Sequence, residues 1–393
     1  MTDSYSCDVC VCGGGVAGIA ASLAAARSGK KVILLEKQYL LGGLATCGLI
    51  TIYLPLCDGT GRQVSFGLAE ELLRLSIKEE CPKTRGYFNW IASDDKAQRN
   101  ENTHRFEVDF NPALFAISAE KLLISEGVKI LYGAYAVGAN RDGNKIKFLT
   151  IEGKSGRQTV FAKSFVDATG DFDIGHFASC PEKTFGQNNK LAAWYYSYGE
   201  NGHDLHLLGY ADIPDEEKKG GKEIETQKFY TGLDTEELTD MTFDSHTQIL
   251  NDFRQKKRND EKYIPTLVAT IPQIRMTRRI DAEYEMKYED EHKYVEDSVG
   301  MVSNWHKRGP VYEVPFSSLW SKEVVNLIAA GRCTCADDKT WDIMRVIPCC
   351  AITGEAAGIA AAMTDDFSKI EIKKLQSEIK KRNGVIHEKD LQK

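Results

Sequence analysis

Cys7-Asp8-Val9-Cys10-Val11-Cys12-Gly13-Gly14-Gly15-Val16-Ala17-Gly18 is the stretch on which the fold turns. A short, mostly apolar run ends in three glycines. An alanine-rich segment, Val16 to Ser28, follows. Gly29-Lys30-Lys31 separates it from a second apolar run, Val32 to Leu35, which ends at Glu36. This reads as strand, tight turn, helix, turn, strand, a βαβ unit of about 30 residues. The two strands are continuously apolar, as expected for strands buried on both faces of a parallel sheet.

Within that unit, Gly13-x-Gly15-x-x-Gly18 has the spacing of a dinucleotide fingerprint. Gly13 permits the tight turn, Gly15 lets the backbone approach a diphosphate, and Gly18 lets helix and strand touch. The helix N-terminus adds unpaired N–H groups and a partial positive charge. Glu36 ends the next strand, 23 residues beyond Gly13. A carboxylate there accepts hydrogen bonds from ribose hydroxyls and repels a 2′-phosphate.

The rest of the chain frames this unit. Helices are predicted over 67–80 and 112–125, the second with Pro112 in its first turn. Residues 83–104 read as irregular surface or lid sequence. Runs over 129–131, 133–140, 145–152 and 159–161, with hairpin turns at Asn140–Gly143 and Lys154–Gly156, predict an antiparallel meander. Ser164 to Ala168 is another buried strand. Residues 176–320 lack the βαβ rhythm, and Trp194 to Tyr198 form an aromatic cluster, core being the commoner role of such clusters. Val324–Ala329 then resumes the first theme, followed by an alanine-rich helix over about 348–363.

Composition narrows the function. The 393 residues carry 50 Lys and Arg against 57 Asp and Glu, a net charge of −7, which argues against a dedicated nucleic-acid binder. Hydrophobic residues at 42% exclude disorder over most of the chain. Without an uncharged apolar run of about 18 residues, no membrane span is expected. The start lacks a basic region followed by an apolar stretch, so a cytoplasmic protein is expected. Eleven cysteines, an odd number, read as reduced thiols; no four-ligand spacing predicts a metal site.

Five stretches carry a family resemblance: Gly13 to Gly18 with Glu36-Lys37, Gly42-Gly43, Ala168-Thr169-Gly170-Asp171, Gly331-Arg332-Cys333, and Arg345 to Pro348 with Thr353 to Gly358. Together with Arg278-Arg279-Ile280, they resemble the FAD-binding set of the glutathione-reductase-like flavoproteins, and within these the FAD-dependent oxidoreductases. The resemblance implies an α/β fold: a Rossmann-like FAD-binding domain with a parallel sheet and an antiparallel β-meander, plus a mixed α+β substrate or cap domain. It implies a discontinuous FAD-binding domain over 1–50, 105–175 and 325–365. An insertion or lid (51–104), a cap domain (176–324) and a helical tail (366–393) make up the remainder.

FAD is the cofactor so implied. Its expected contacts are Gly13, Gly15, Val16, Ala17, Gly18, Glu36, Lys37, Gly42, Gly43, Leu44, Ala136, Thr169, Gly170, Asp171, Gly331, Arg332, Arg345 and Gly354. The Thr353-Gly354 turn is expected to start or continue a helix directed at the flavin. Catalytic candidates are Arg345, Arg278 and Cys349; His104, His203, His206, His246 and His306 are the histidines considered as bases. The expected reaction is hydride transfer between a small organic substrate and flavin N5. Only one dinucleotide fingerprint is present, so a separate electron carrier, quinone or oxygen is the expected redox partner. An NAD-dependent dehydrogenase and an electron-relay or modification subunit are the competing readings.

Overall fold

The computed structural model describes residues 4–79, 108–200, 202–209 and 228–391. The chain forms two compact units: Met1–Gly43, Thr51–Lys183 and Arg278–Lys393 make the first, Leu44–Ile50 and Thr184–Thr277 the second. The expected lid segment 83–104 lies outside the described residues.

The first unit is built on the predicted βαβ. Strand β1 (Val9–Cys12) leads through the glycine turn into helix α1 (Val16–Arg27) and back to strand β2 (Val32–Glu36). Helix α2 (Pro112–Ser125) crosses to strand β3 (Lys129–Tyr132). Asn111 caps α2, its Oδ1 accepting from the N–H groups of Ala113 and Leu114, and Pro112 occupies the position where no N–H is needed. Strand β4 (Ser164–Asp167) and strand β5 (Leu327–Ala329) complete a five-stranded sheet in the order β5-β4-β1-β2-β3, parallel throughout. Every residue of β1, β2, β4 and β5 is buried. The sheet is thus covered on both faces, which is why its strands do not alternate.

Two local expectations change. The run at Lys129 belongs to the parallel sheet, not to the meander, because the preceding helix α2 forms a βαβ crossover. The meander itself, Tyr135–Asp142, Lys145–Gly153 and Gly156–Phe161, gains a fourth strand, Ser4–Ser6, paired in parallel with its last member.

Helix α3 (Ile347–Met363) lies against α1. Both helices are apolar all round, and α1 is buried from Val16 to Ala25. Small residues let their backbones meet. A Cβ on Gly354 would lie 2.3 Å from the Ala17 carbonyl oxygen, and one on Gly358 2.2 Å from that of Ala21. Among the described residues, no single helix is long and apolar enough to cross a membrane.

The second unit holds a three-stranded antiparallel sheet, Gly202–His206, Tyr195–Gly199 and Ile264–Val268, beside the helix Thr235–Lys257. Ala193, Tyr195, Leu208, Ile249 and Tyr263 form one buried cluster in it, and Leu191, Tyr230, Met241 and Ile274 another. Tyr195 donates to Asp252 at 2.6 Å, and His206 Nε2 lies 2.7 and 2.8 Å from the hydroxyls of Ser197 and Tyr263. Trp194 and Tyr195, expected as core or pocket lining, are core.

Candidate functional site

The fingerprint turn is shaped by its glycines in three different ways. Gly13 has φ +95°, where a side chain is strained, and a Cβ there would lie 2.4 Å from the Ala168 carbonyl oxygen. A Cβ on Gly18 would lie 1.8 Å from the Gly13 carbonyl oxygen, so that position holds helix and turn together. Gly15 differs: nothing lies within 4 Å of where its Cβ would be. The space before it is a cradle that a side chain would fill. Gly15 is also the N-cap of α1 and has no side chain with which to satisfy the N–H groups of Val16 and Ala17.

On one flank, Gly42 donates to the Gly14 carbonyl at 2.8 Å, and a Cβ on Gly43 would lie 3.2 Å from the Gly15 Cα. Leu44 belongs to the second unit. At the end of β2, Glu36 accepts from Gly14 N at 2.7 Å with Oε2 and from Gln38 N at 2.6 Å with Oε1. These bonds fix the carboxylate beside the turn; burial nonetheless raises its pKa above the ordinary carboxylate value. Ala134 N donates to the Glu36 carbonyl, and Lys37 Nζ lies 5.5 Å from the centre of the Tyr135 ring. Glu36, Lys37 and the half-buried Ala136 therefore share one end of the sheet.

On the other flank, Asp167 is fully buried and shapes the turn after β4. Its carboxylate accepts from Thr169 N, Thr169 Oγ1, Ile174 N and Gly175 N at 2.7–3.1 Å. Burial is the main reason its pKa rises to about 6. The turn presents Gly170 and Asp171 to Arg332. Arg332 Nη2 pairs with Asp171 Oδ1 at 2.6 Å, and the Arg332 guanidinium packs where a Cβ on Gly170 would sit. Arg278 braces the turn from behind, bonding the Asp171 carbonyl at 2.9 Å and the Asp173 carboxylate at 3.0 Å.

Gly331 joins these parts to α3. Its N–H donates to Thr353 Oγ1 at 2.9 Å, and a Cβ on it would lie 2.8 Å from Ala17 Cβ and 3.5 Å from Cys350 Sγ. The first turn of α1, the Gly331-Arg332 segment and the first turns of α3 therefore converge. The helix α3 starts at Ile347, seven residues before Gly354, which lies at the crossing with α1.

Of the catalytic candidates, Arg345 sits just ahead of α3, bonded to Asp342 through Nε at 2.9 Å. Cys349 is fully buried with its sulfur 3.5 Å from that of Met344, and burial pushes its thiol well above the ordinary range. Cys350 is the cysteine beside Gly331; burial raises its pKa to about 12. His104 lies outside the described residues. Sequence reasoning gave no role to Asp167 or Asp342. Asp167 is held by groups two to eight residues further on and Asp342 by Arg345, and no residue-type pattern in either stretch signals the role.

The residues fit FAD. The open face of Gly15, the uncapped first turn of α1, the anchored Glu36 carboxylate and the Asp171–Arg332 pair are the parts a dinucleotide with a diphosphate requires. Residues 8–193 and 182–379 match the FAD dependent oxidoreductase family, and this chain belongs to that family; FAD is its cofactor. Similarity to individual proteins is more distant. A thioredoxin reductase of Ureaplasma parvum serovar 3 is 34% identical over 70 residues, which are 18% of this chain and 23% of the relative. This chain thus matches about a quarter of that curated relative's length. Among solved structures, a geranylgeranyl bacteriochlorophyll reductase-like protein of Thermoplasma acidophilum aligns over 97% of this chain and 84% of its own, at 14% identity and a TM-score of 0.47. The anhydrotetracycline hydroxylase OxyS of Streptomyces rimosus aligns over 96% and 66%, at 11% identity and a TM-score of 0.47.

Proposed function

We propose that the protein oxidises or reduces a small organic molecule by hydride transfer between a substrate carbon and flavin N5. The observation that carries this reading is the convergence of the α1 cradle, the Gly331-Arg332 segment and the start of α3 within the first unit. FAD, when bound, supplies the two-electron acceptor or donor. The N–H groups after Gly15 hold the diphosphate, and Glu36 accepts from a ribose hydroxyl. Asp171, oriented by Arg332, binds hydroxyls between the diphosphate and the ring, and α3 turns its positive end to the reacting region. That positive end favours negative charge by about 0.3–1 kcal/mol, more where partly buried.

In this reading the second unit, Leu44–Ile50 and Thr184–Thr277, contributes substrate selection, and a separate carrier, a quinone or oxygen completes the electron cycle. The test is anaerobic photoreduction of the FAD-loaded protein, followed by reoxidation with quinones, oxygen and candidate substrates. The oxidised protein is screened in parallel for bleaching by small alcohols and amines. Bleaching or reoxidation by at least one small organic molecule is expected. Inertness to every donor and acceptor except dithionite overturns the reading.

A further inference from the structure

One histidine stands out from the eight in the chain. His306 lies in the loop between the paired strands Ser298–Ser303 and Val311–Pro315. Asn304 shapes this loop, its Oδ1 accepting from the N–H groups of His306 and Lys307 at 2.9 and 3.1 Å. His306 Nε2 bonds to Oδ2 of Asp342 on the helix Asp338–Met344. The other Asp342 oxygen bonds Arg345. Trp305 clamps the arrangement: its Nε1 donates to the Asp342 carbonyl at 3.2 Å, its ring lies 3.6 Å from the imidazole centre, and the Arg345 guanidinium sits 5.8 Å from the Trp305 ring.

The geometry leaves one nitrogen for chemistry. Nε2 faces the carboxylate, while Nδ1 has no hydrogen-bond partner among the described residues. The imidazole is about a third exposed (36%), whereas the Asp342 side chain is only 17% exposed. A half-hidden carboxylate on Nε2 holds its proton and leaves Nδ1 bare as an acceptor. Arg345, on the far side of Asp342, also carries the carbonyl to which Cys350 Sγ donates at 3.2 Å, at the start of α3. Arg345 and then Cys350 thus link the dyad to the point where α3 meets Gly331. The charged groups around it are Asp342 and Arg345 on the facing segment and Lys307 and Arg308 on its own loop. Lys307 Nζ is turned to the Tyr288 ring, 4.7 Å from its centre.

We propose that His306, oriented by Asp342, is the proton acceptor of the redox site, and hence that the substrate is an alcohol or amine whose oxidation releases a proton. The inference rests on the hydride-transfer reading above. In the step, the substrate C–H bond breaks and its electron pair leaves as hydride to FAD. The O–H or N–H bond breaks with its proton passing to His306 Nδ1. A C=O or C=N bond forms; the substrate is oxidised and the cofactor reduced. Asp342 balances the imidazolium, and Arg345 keeps the carboxylate in place.

The test reads the imidazole directly. Full-length protein labelled with 15N-histidine is loaded with FAD and titrated by long-range 1H–15N NMR, oxidised and after anaerobic photoreduction with EDTA. H306Q identifies the resonance. The expected result is an Nε2–H tautomer with bare Nδ1 in the oxidised protein. Its protonation midpoint should move upward on reduction, because the reduced cofactor adds negative charge that favours the imidazolium. In D342N the tautomer preference is expected to weaken. An unchanged midpoint, or an Nδ1–H tautomer, overturns this inference while leaving the flavoprotein reading intact. A purified protein that takes up no FAD overturns both.

Discussion

Replacing Gly15 with alanine separates the architecture of the turn from its use. The residue has φ −66° and ψ −179°, ordinary extended backbone, and a Cβ there meets nothing within 4 Å. G15A should therefore fold as stably as the native chain when both are free of FAD. The added methyl extends about 1.5 Å from the Cα into the cradle, the usual length of a carbon–carbon bond. A diphosphate oxygen bonded to the neighbouring N–H groups must retreat by a comparable distance. Losing one charge-assisted hydrogen bond costs about 1.5–3 kcal/mol. At 1.4 kcal/mol per factor of ten, FAD should bind roughly 10- to 150-fold more weakly. G18A is the internal control. Its Cβ would lie 1.8 Å from the Gly13 oxygen, so backbone must move, and destabilisation of about 1–3 kcal/mol or more is expected without any ligand. Urea unfolding of the FAD-free proteins and flavin-fluorescence titration measure the two quantities. G15A protein that binds FAD like the native chain, or that is itself unstable without FAD, refutes the assignment of the cradle.

Further outcomes follow from named contacts. E36A leaves the N–H groups of Gly14 and Gln38 without their acceptor, so it should lower stability by about 1–3 kcal/mol and weaken FAD at least tenfold; E36Q should do less of each, by unfolding and titration. G358V forces bulk against the Ala21 carbonyl and should destabilise the first unit by about 3 kcal/mol or more, seen as a lower urea midpoint at unchanged slope. Glu355 is buried in α3, accepts from Leu68 N at 2.9 Å, and has its pKa raised by burial from 4.5 to about 7. Between those pH values the folded chain holds more protons than the unfolded one, so this group's contribution makes stability fall as pH rises. The full loss is on the order of 3 kcal/mol, complete above about pH 7. E355Q should remove that slope, measured by urea unfolding at pH 5 and pH 8.

The sequence makes the βαβ unit readable because its information is local. Three glycines, two apolar runs and Glu36 lie within 30 residues, and each has a steric or electrostatic reason to stand where it does. The parallel assignment of Lys129–Tyr132 was harder, since a four-residue run does not state its partner; only the crossover through α2 does. Gly354 is a different case. Its glycine could mark a turn or a close approach, and the partner that decides, Ala17, is over 300 residues away. Asp167 looks like the end of a strand until the four donors that surround it are seen in space. His306 and Asp342, 36 residues apart, likewise form a pair only in the fold. What stays hidden is the pairing of polar side chains, within one turn as at Asp167 or across the fold as at His306 and Asp342, for which no periodicity exists.

The most direct measurement is a crystal structure of the FAD-loaded protein. The diphosphate is predicted to lie within hydrogen-bond distance of the first N–H groups of α1, with ribose on Glu36 and the isoalloxazine ring at the start of α3. FAD bound away from Gly15, or a ring placed far from residues 345–350, would contradict the proposed site.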